Sequence, residues 1–188
     1  MKKENFLKSS LISLAMLSLL LMGCTNTPAS IPIQNVSTGI VEVQNASPTE
    51  TATNVTSITN LLKTGYYGEI LAGNKSPYIE FNIKDYNKAT ADGKVILLYF
   101  YSDDNSISKA EEPIVFSAFN KMNSESLIGF KIHYDDASTT DIEKQLATSF
   151  GVKEAHTKVV LKNGTVMWQY SSSLNADTYI TQMSRFLT

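Results

Sequence analysis

The stretch "VILLYFYSDDNSISKAEEP", Val95 to Pro113, decides how this chain is read. Val95 to Tyr101 are apolar or aromatic without a break, as expected for a central strand covered on both faces. A polar corner follows, and beyond it Ala110, Ile114, Phe116, Phe119 and Met122 recur with helical spacing. Pro113 falls inside that pattern, where its missing N–H and its ring predict a kink. The strand therefore delivers the chain into the N-terminus of a helix through Asp103, Asp104, Asn105, Ser106, Ile107 and Ser108.

Working outward, "PYIEFNI" reads as a short strand and "IKDYNKATADG" as a helix closed by Gly93. "SLIGFKIHY" is a strand, and "TTDIEKQLATSFGV" is a helix with Thr139 or Thr140 as N-cap. "HTKVVLKNGTVMWQY" is a hairpin turning on Asn163-Gly164, and "NADTYITQMSRFL" is a closing helix capped by Asn175. The order is β-α-β-α-β-α-β-β-α. It predicts an α/β fold in which a central mixed sheet is flanked by helices on both faces. "GYYGEILAGNKSPY", just upstream, fits either a further strand or a docking arm.

The N-terminal part is different in kind. Lys2, Lys3 and Lys8 precede the apolar run "SSLISLAMLSLLLMGC", which has the dimensions of a signal peptide and is too short to read as a membrane span. Leu21-Met22-Gly23-Cys24 resembles the lipobox of bacterial lipoprotein precursors. That resemblance implies cleavage after Gly23, lipidation of Cys24, and anchoring on the outer side of the cytoplasmic membrane, or in an outer membrane if there is one. From Thr25 to about Thr64 the chain turns rich in Ser, Thr, Asn and Pro, a composition that reads as a flexible linker. Some 40 flexible residues reach about 35 Å; the apolar patch Ile40-Val41-Val43 interrupts them. The expected organisation is a signal peptide over 1–23, a lipidated cysteine and linker over 24–64, and one domain over 65–188.

With 16 basic and 18 acidic side chains interspersed and a net charge of −2, the chain lacks the basic footprint of a nucleic-acid binder. Cys24 is the one cysteine among 188 residues, so a lipidated chain keeps no free thiol.

From about Ser76 to Leu187 the order of elements and several residues resemble the thioredoxin family. In that family the central strand ends at an aromatic, passes through Trp-Cys-x-x-Cys, and enters a helix kinked at proline. Phe100, Lys109 and Pro113 fit this frame without a gap. Asp104 then stands at the tryptophan, Asn105 at the first cysteine and Ser108 at the second. "FGVKEAHTKVVLKNG" resembles the later Gly-Val-x-x-x-Pro-Thr segment through Gly151, Val152, Thr157, Asn163 and Gly164. His156 occupies the place of the cis-proline, and Tyr99 that of a buried aspartate found in many thioredoxins.

Disulfide exchange requires a thiolate, and the positions matching the two cysteines are a carboxamide and a hydroxyl. Conventional oxidoreductase activity is therefore excluded for the monomer, and no cofactor is implied. The resemblance points instead to a protein or peptide partner held at Asp103, Asp104, Asn105 and Ser106 with Ala155, His156 and Thr157. Three alternatives stand beside it. Ser108, His156 and an aspartate have the residue types of nucleophilic catalysis. A metal has two candidate clusters, His156 with Asp103 and Asp104, or His133 with Asp135 and Asp136, neither with a recognised ligand spacing. The domain is otherwise a structural spacer in the envelope.

Overall fold

The computed structural model describes residues 55–61 and 64–188. The stretch read as a signal peptide, Cys24 and Ile40–Val43 lie outside the described residues. Residues 55–61, within the stretch read as linker, are helical (α1). Ten elements follow: β1 (Ile70–Ala72), β2 (Tyr78–Glu80), α2 (Ile83–Ala91), β3 (Val95–Tyr101), α3 (Ser106–Lys121), β4 (Leu127–His133), α4 (Asp141–Ser149), β5 (Thr157–Lys162), β6 (Thr165–Tyr170) and α5 (Ala176–Ser184).

The strands form one sheet in the order β1-β2-β4-β3-β5-β6. β2, β4 and β3 run parallel, as their helical crossovers require, while β5 runs antiparallel to β3 although a helix precedes it. The upstream segment left open by its sequence supplies β1, antiparallel to β2. The hairpin turns on Asn163 and Gly164, both at positive φ (52° and 73°), the pairing demanded by a type I′ turn.

All seven residues of β3 are buried, and the two-residue period of the strand divides them between two cores. Ile96, Leu98 and Phe100 face Tyr86 and Ala89 of α2 and Leu146 and Ala147 of α4. Val95, Leu97, Tyr99 and Tyr101 face Val115, Ala118 and Phe119 of α3 and Tyr179 and Met183 of α5. The predicted layering, helices on both faces of a mixed sheet, is the layering observed.

One detail of the α3 stripe differs from expectation. Ala110 is exposed, and Glu111 takes a buried position beside Val115 and Phe119. The reason is electrostatic: Lys158 of β5 lies on the same side of the sheet and pairs with Glu111. Pro113 stands inside α3, which continues to Lys121.

Candidate functional site

The site is a corner made where β3 ends and α3 begins. After Tyr101 the backbone turns at Asp103 and Asp104, and Asn105 caps the helix with its side-chain oxygen accepting from the Ser108 N–H at 2.9 Å. An Asn at this position satisfies one of the N–H groups that a helix start leaves open. The Ser102 carbonyl accepts from the Asn105 N–H at 3.2 Å, and the Ser102 hydroxyl accepts from the Asp104 N–H at 3.3 Å. Asp103, Asp104, Ser106 and Ile107 form an exposed rim. Ile107 alone among them is a large apolar side chain, 45% exposed.

The segment entering β5 adjoins this corner through strand register. Phe100 pairs with Thr157, so His156 stands one step beyond the last β3–β5 pair, at the mouth of the corner. Ala155, His156 and Thr157 are all buried, whereas Asp103 and Asp104 are exposed. The Thr157 hydroxyl donates to the Glu154 carbonyl at 2.8 Å and shares a hydrogen bond with Ser171 at 3.2 Å. His156 has φ +56°, in the left-handed region. Proline, fixed near −65°, cannot adopt that angle. The backbone here is therefore turned differently from one carrying a proline.

A strand running into a capped helix, the β5 loop beside it, and two parallel neighbours on one side of β3 with an antiparallel hairpin on the other decide the architecture. The fold is thioredoxin-like. Solved structures similar to it include a mutant thioredoxin from Halobacterium salinarum NRC-1, 17% identical with TM-score 0.49, covering 62% of this chain and 96% of that one. Thioredoxin O2 from Arabidopsis thaliana in its oxidized state is 12% identical with TM-score 0.48, covering 62% of this chain and all of that one. Trxlp from Edwardsiella tarda EIB202 is 23% identical with TM-score 0.44, covering 58% and 97%. The strand order and register, rather than these likenesses, carry the fold. No family model and no curated protein matches the chain.

Asn105 and Ser108, the positions that by resemblance match the two cysteines, differ in character. Asn105 is committed to capping. Ser108 is wholly buried, and its hydroxyl has no hydrogen-bonding partner. The Nδ1 of His156 is likewise buried and unpartnered. Ser108 and His156 are not hydrogen-bonded to each other, so the serine and histidine are not assembled as nucleophile and base.

The metal-ligand residue types gather differently from either sequence cluster. Asp103, His133 and Asp136 offer ligand atoms that all lie within 4.8 Å of one another, while Asp104, Asp135 and His156 stand outside the group. Asp136 organises it. Its Oδ2 accepts from the Asp103 N–H at 2.9 Å and lies 3.2 Å from His133 Nδ1; its Oδ1 accepts from the Ser138 N–H and the Thr139 hydroxyl. Burial pushes this carboxyl up, but hydrogen bonds from Asp103, His133, Thr139 and Ser138 outweigh it and hold the pKa below the ordinary 3.8. Asp103 Oδ1 accepts from the Tyr101 hydroxyl at 3.0 Å.

Beneath the corner lies a polar network that the sequence reading missed. Lys158 Nζ donates to both oxygens of Glu111 and, at 2.9 Å, to the Ser172 carbonyl. Glu111 Oε1 also accepts from the Tyr179 hydroxyl and the Leu174 N–H. Tyr99, opposite Lys158 in register, presents its ring 5.5 Å from the ammonium and donates its hydroxyl to the Ser108 carbonyl at 3.3 Å. Burial pushes the Lys158 ammonium below the ordinary lysine range, against the pull of Glu111. The available signal was a lysine inside a run otherwise expected to be buried.

Proposed function

We propose that this chain is an envelope lipoprotein, anchored through lipidated Cys24, whose redox-inactive thioredoxin-like domain binds a protein or peptide at the Asp103–Ser108 corner. The observation that carries the reading is the state of the two cysteine-like positions: Asn105 caps α3 and Ser108 is sealed inside the domain, so neither offers a group for thiol exchange. The rim is supportive as well. Asp103, Asp104, Ser106 and Ile107 present charge, hydroxyl and one apolar side chain to solvent at the start of α3.

Three measurements test this. The protein added to an insulin-reduction assay gives no precipitation above the blank; robust turnover overturns redox inactivity. Metabolic labelling with a fatty acid marks the wild type and not Cys24→Ser; equal labelling removes the anchor. A photo-crosslinker at Ser106 captures a defined partner in cells, whereas capture of nothing favours the spacer.

The convergence of Asp103, His133 and Asp136 favours a second reading, a divalent cation held beside the corner. A cation there displaces the proton shared by His133 Nδ1 and Asp136 Oδ2, whose 3.2 Å separation matches neighbouring ligands about 2 Å from one ion. Zinc titration followed by calorimetry decides it: saturable binding lost in His133→Ala supports the cation, and equal heats in both proteins end the idea.

A further inference from the structure

We infer that the cavity at the N-terminal edge of β3 and β4 binds a small oxyanion, a molecule carrying a carboxylate or a phosphate group. The cavity has a volume of about 320 Å³, at the lower end of the size range of small-molecule sites. It lies where the two parallel strands begin, beside Lys94 and Leu127. Their seven residues separate it by about 20 Å from the corner at the other end of β3. A ligand here is therefore independent of any partner at that corner.

The lining offers donors and positive charge. Lys75 and Lys94 contribute two ammonium groups against the one carboxylate of Glu125, so the described lining carries one net positive charge. Lys94 Nζ donates to a backbone carbonyl, that of Glu125, which leaves its charge uncompensated. Tyr66 decides the chemistry. It lines the cavity, is 4% exposed, and its hydroxyl is buried without a hydrogen-bonding partner. Buried hydroxyls normally have one. Burial, then the carboxylates of Asp92 and Asp85, push this phenol up to about 12, so it stays a donor at neutral pH. Asp92 caps the end of α2 two residues before Lys94, and its own charge is paired with Lys88 at 2.6 Å. An oxyanion supplies the acceptor that Tyr66 lacks and the counter-charge that Lys75 and Lys94 lack. A neutral or cationic ligand leaves both ammonium groups uncompensated.

The cradle is preformed. Gly73, at φ +78°, turns the chain so tightly that a Cβ there has no room beside the Ser76 carbonyl. Its N–H donates to Asn120 Oδ1 at 2.8 Å. Ser76 Oγ donates to the Ser124 carbonyl at 2.8 Å and accepts from the Ser124 N–H at 2.9 Å. The loop bearing Lys75 is thereby tied to the connection bearing Glu125, so binding has little backbone left to order. Ile70, Pro77 and Leu127 complete the wall with apolar surface, which strengthens polar contacts made against it.

The test titrates the whole chain, held in non-ionic detergent, with inorganic phosphate and separately with acetate, followed by calorimetry. Saturable binding of at least one anion is expected, and which of them binds distinguishes phosphate from carboxylate recognition. Tyr66→Phe is expected to weaken binding about ten-fold, the loss of one hydrogen bond to a charged group. Lys75→Gln is expected to weaken it several-fold, and Lys153→Gln, an exposed lysine between α4 and β5, to leave it unchanged. Without anion, Tyr66→Phe is expected to melt no lower than wild type, because the hydroxyl it removes has no partner. Absence of saturable heat with both anions overturns the inference, as does equal affinity in wild type and Tyr66→Phe. If Tyr66→Phe melts lower, Lys75→Gln against Lys153→Gln decides, and equal affinity in those two overturns the inference.

Discussion

Lys158 and Glu111 form an ion pair that water does not reach: Nζ lies 2.9 and 3.0 Å from the two carboxylate oxygens, and the side chains are 0% and 1% exposed. Removing one member leaves the other charge uncompensated in the core, which costs about 3–5 kcal/mol. Lys158→Met and Glu111→Gln singly are each expected to lower stability by that order in urea unfolding. The double variant keeps an acceptor for Leu174 and Tyr179 and buries no charge, so its loss is expected to fall well below the sum of the two. Simple additivity contradicts this account.

Asn105 and Ser108 respond in opposite senses. Asn105→Ala removes the α3 cap and is expected to cost about 1 kcal/mol. Ser108→Ala removes a buried hydroxyl that has no partner, and such a group carries a desolvation penalty of about 1–3 kcal/mol. It is therefore expected to be neutral or stabilising. Thermal unfolding of both variants checks the contrast, which fails if Ser108→Ala loses as much as Asn105→Ala.

A proline does not fit the observed loop at position 156. His156 lies at φ +56°, and His156→Pro is expected to destabilise by more than about 1 kcal/mol. An unchanged urea midpoint shows that the loop accepts a negative φ at no cost.

Asp136 makes stability depend on pH in a stated direction. Its folded-state pKa lies below 3.8, so the unfolded chain binds the proton more tightly. The stabilisation is complete above the ordinary carboxylate range and disappears as pH falls through the lowered folded value. Asp136→Asn is expected to be less stable than wild type at neutral pH, with the gap narrowing below about pH 3.8. A gap constant down to strong acid rules out this linkage.

Local chemistry explains what was legible in the sequence. The unbroken apolar run of β3 could be read because both faces of that strand are covered by helices. Asn163-Gly164 was readable because few residue pairs accept two positive φ angles in succession. Asn175 and Thr140 cap their helices within three residues of themselves. Glu111 and Lys158, 47 residues apart, meet only once β5 has taken its register against β3. Asp103 and Asp136 are 33 residues apart and likewise depend on the sheet to join them. Side-chain spacing within one helix or strand can be read from sequence, whereas polar contacts between elements depend on a register it does not display.

The acceptor role of Glu111 sets an order of assembly. Its donors come from Lys158, Leu174 and Tyr179, the last 68 residues further along the chain. A nascent chain that ends before Tyr179 therefore has no complete set of partners for this carboxylate. A product stopped short of α5 is expected to leave this buried carboxylate without one of its donors and the core on the α3 side without Tyr179 and Met183.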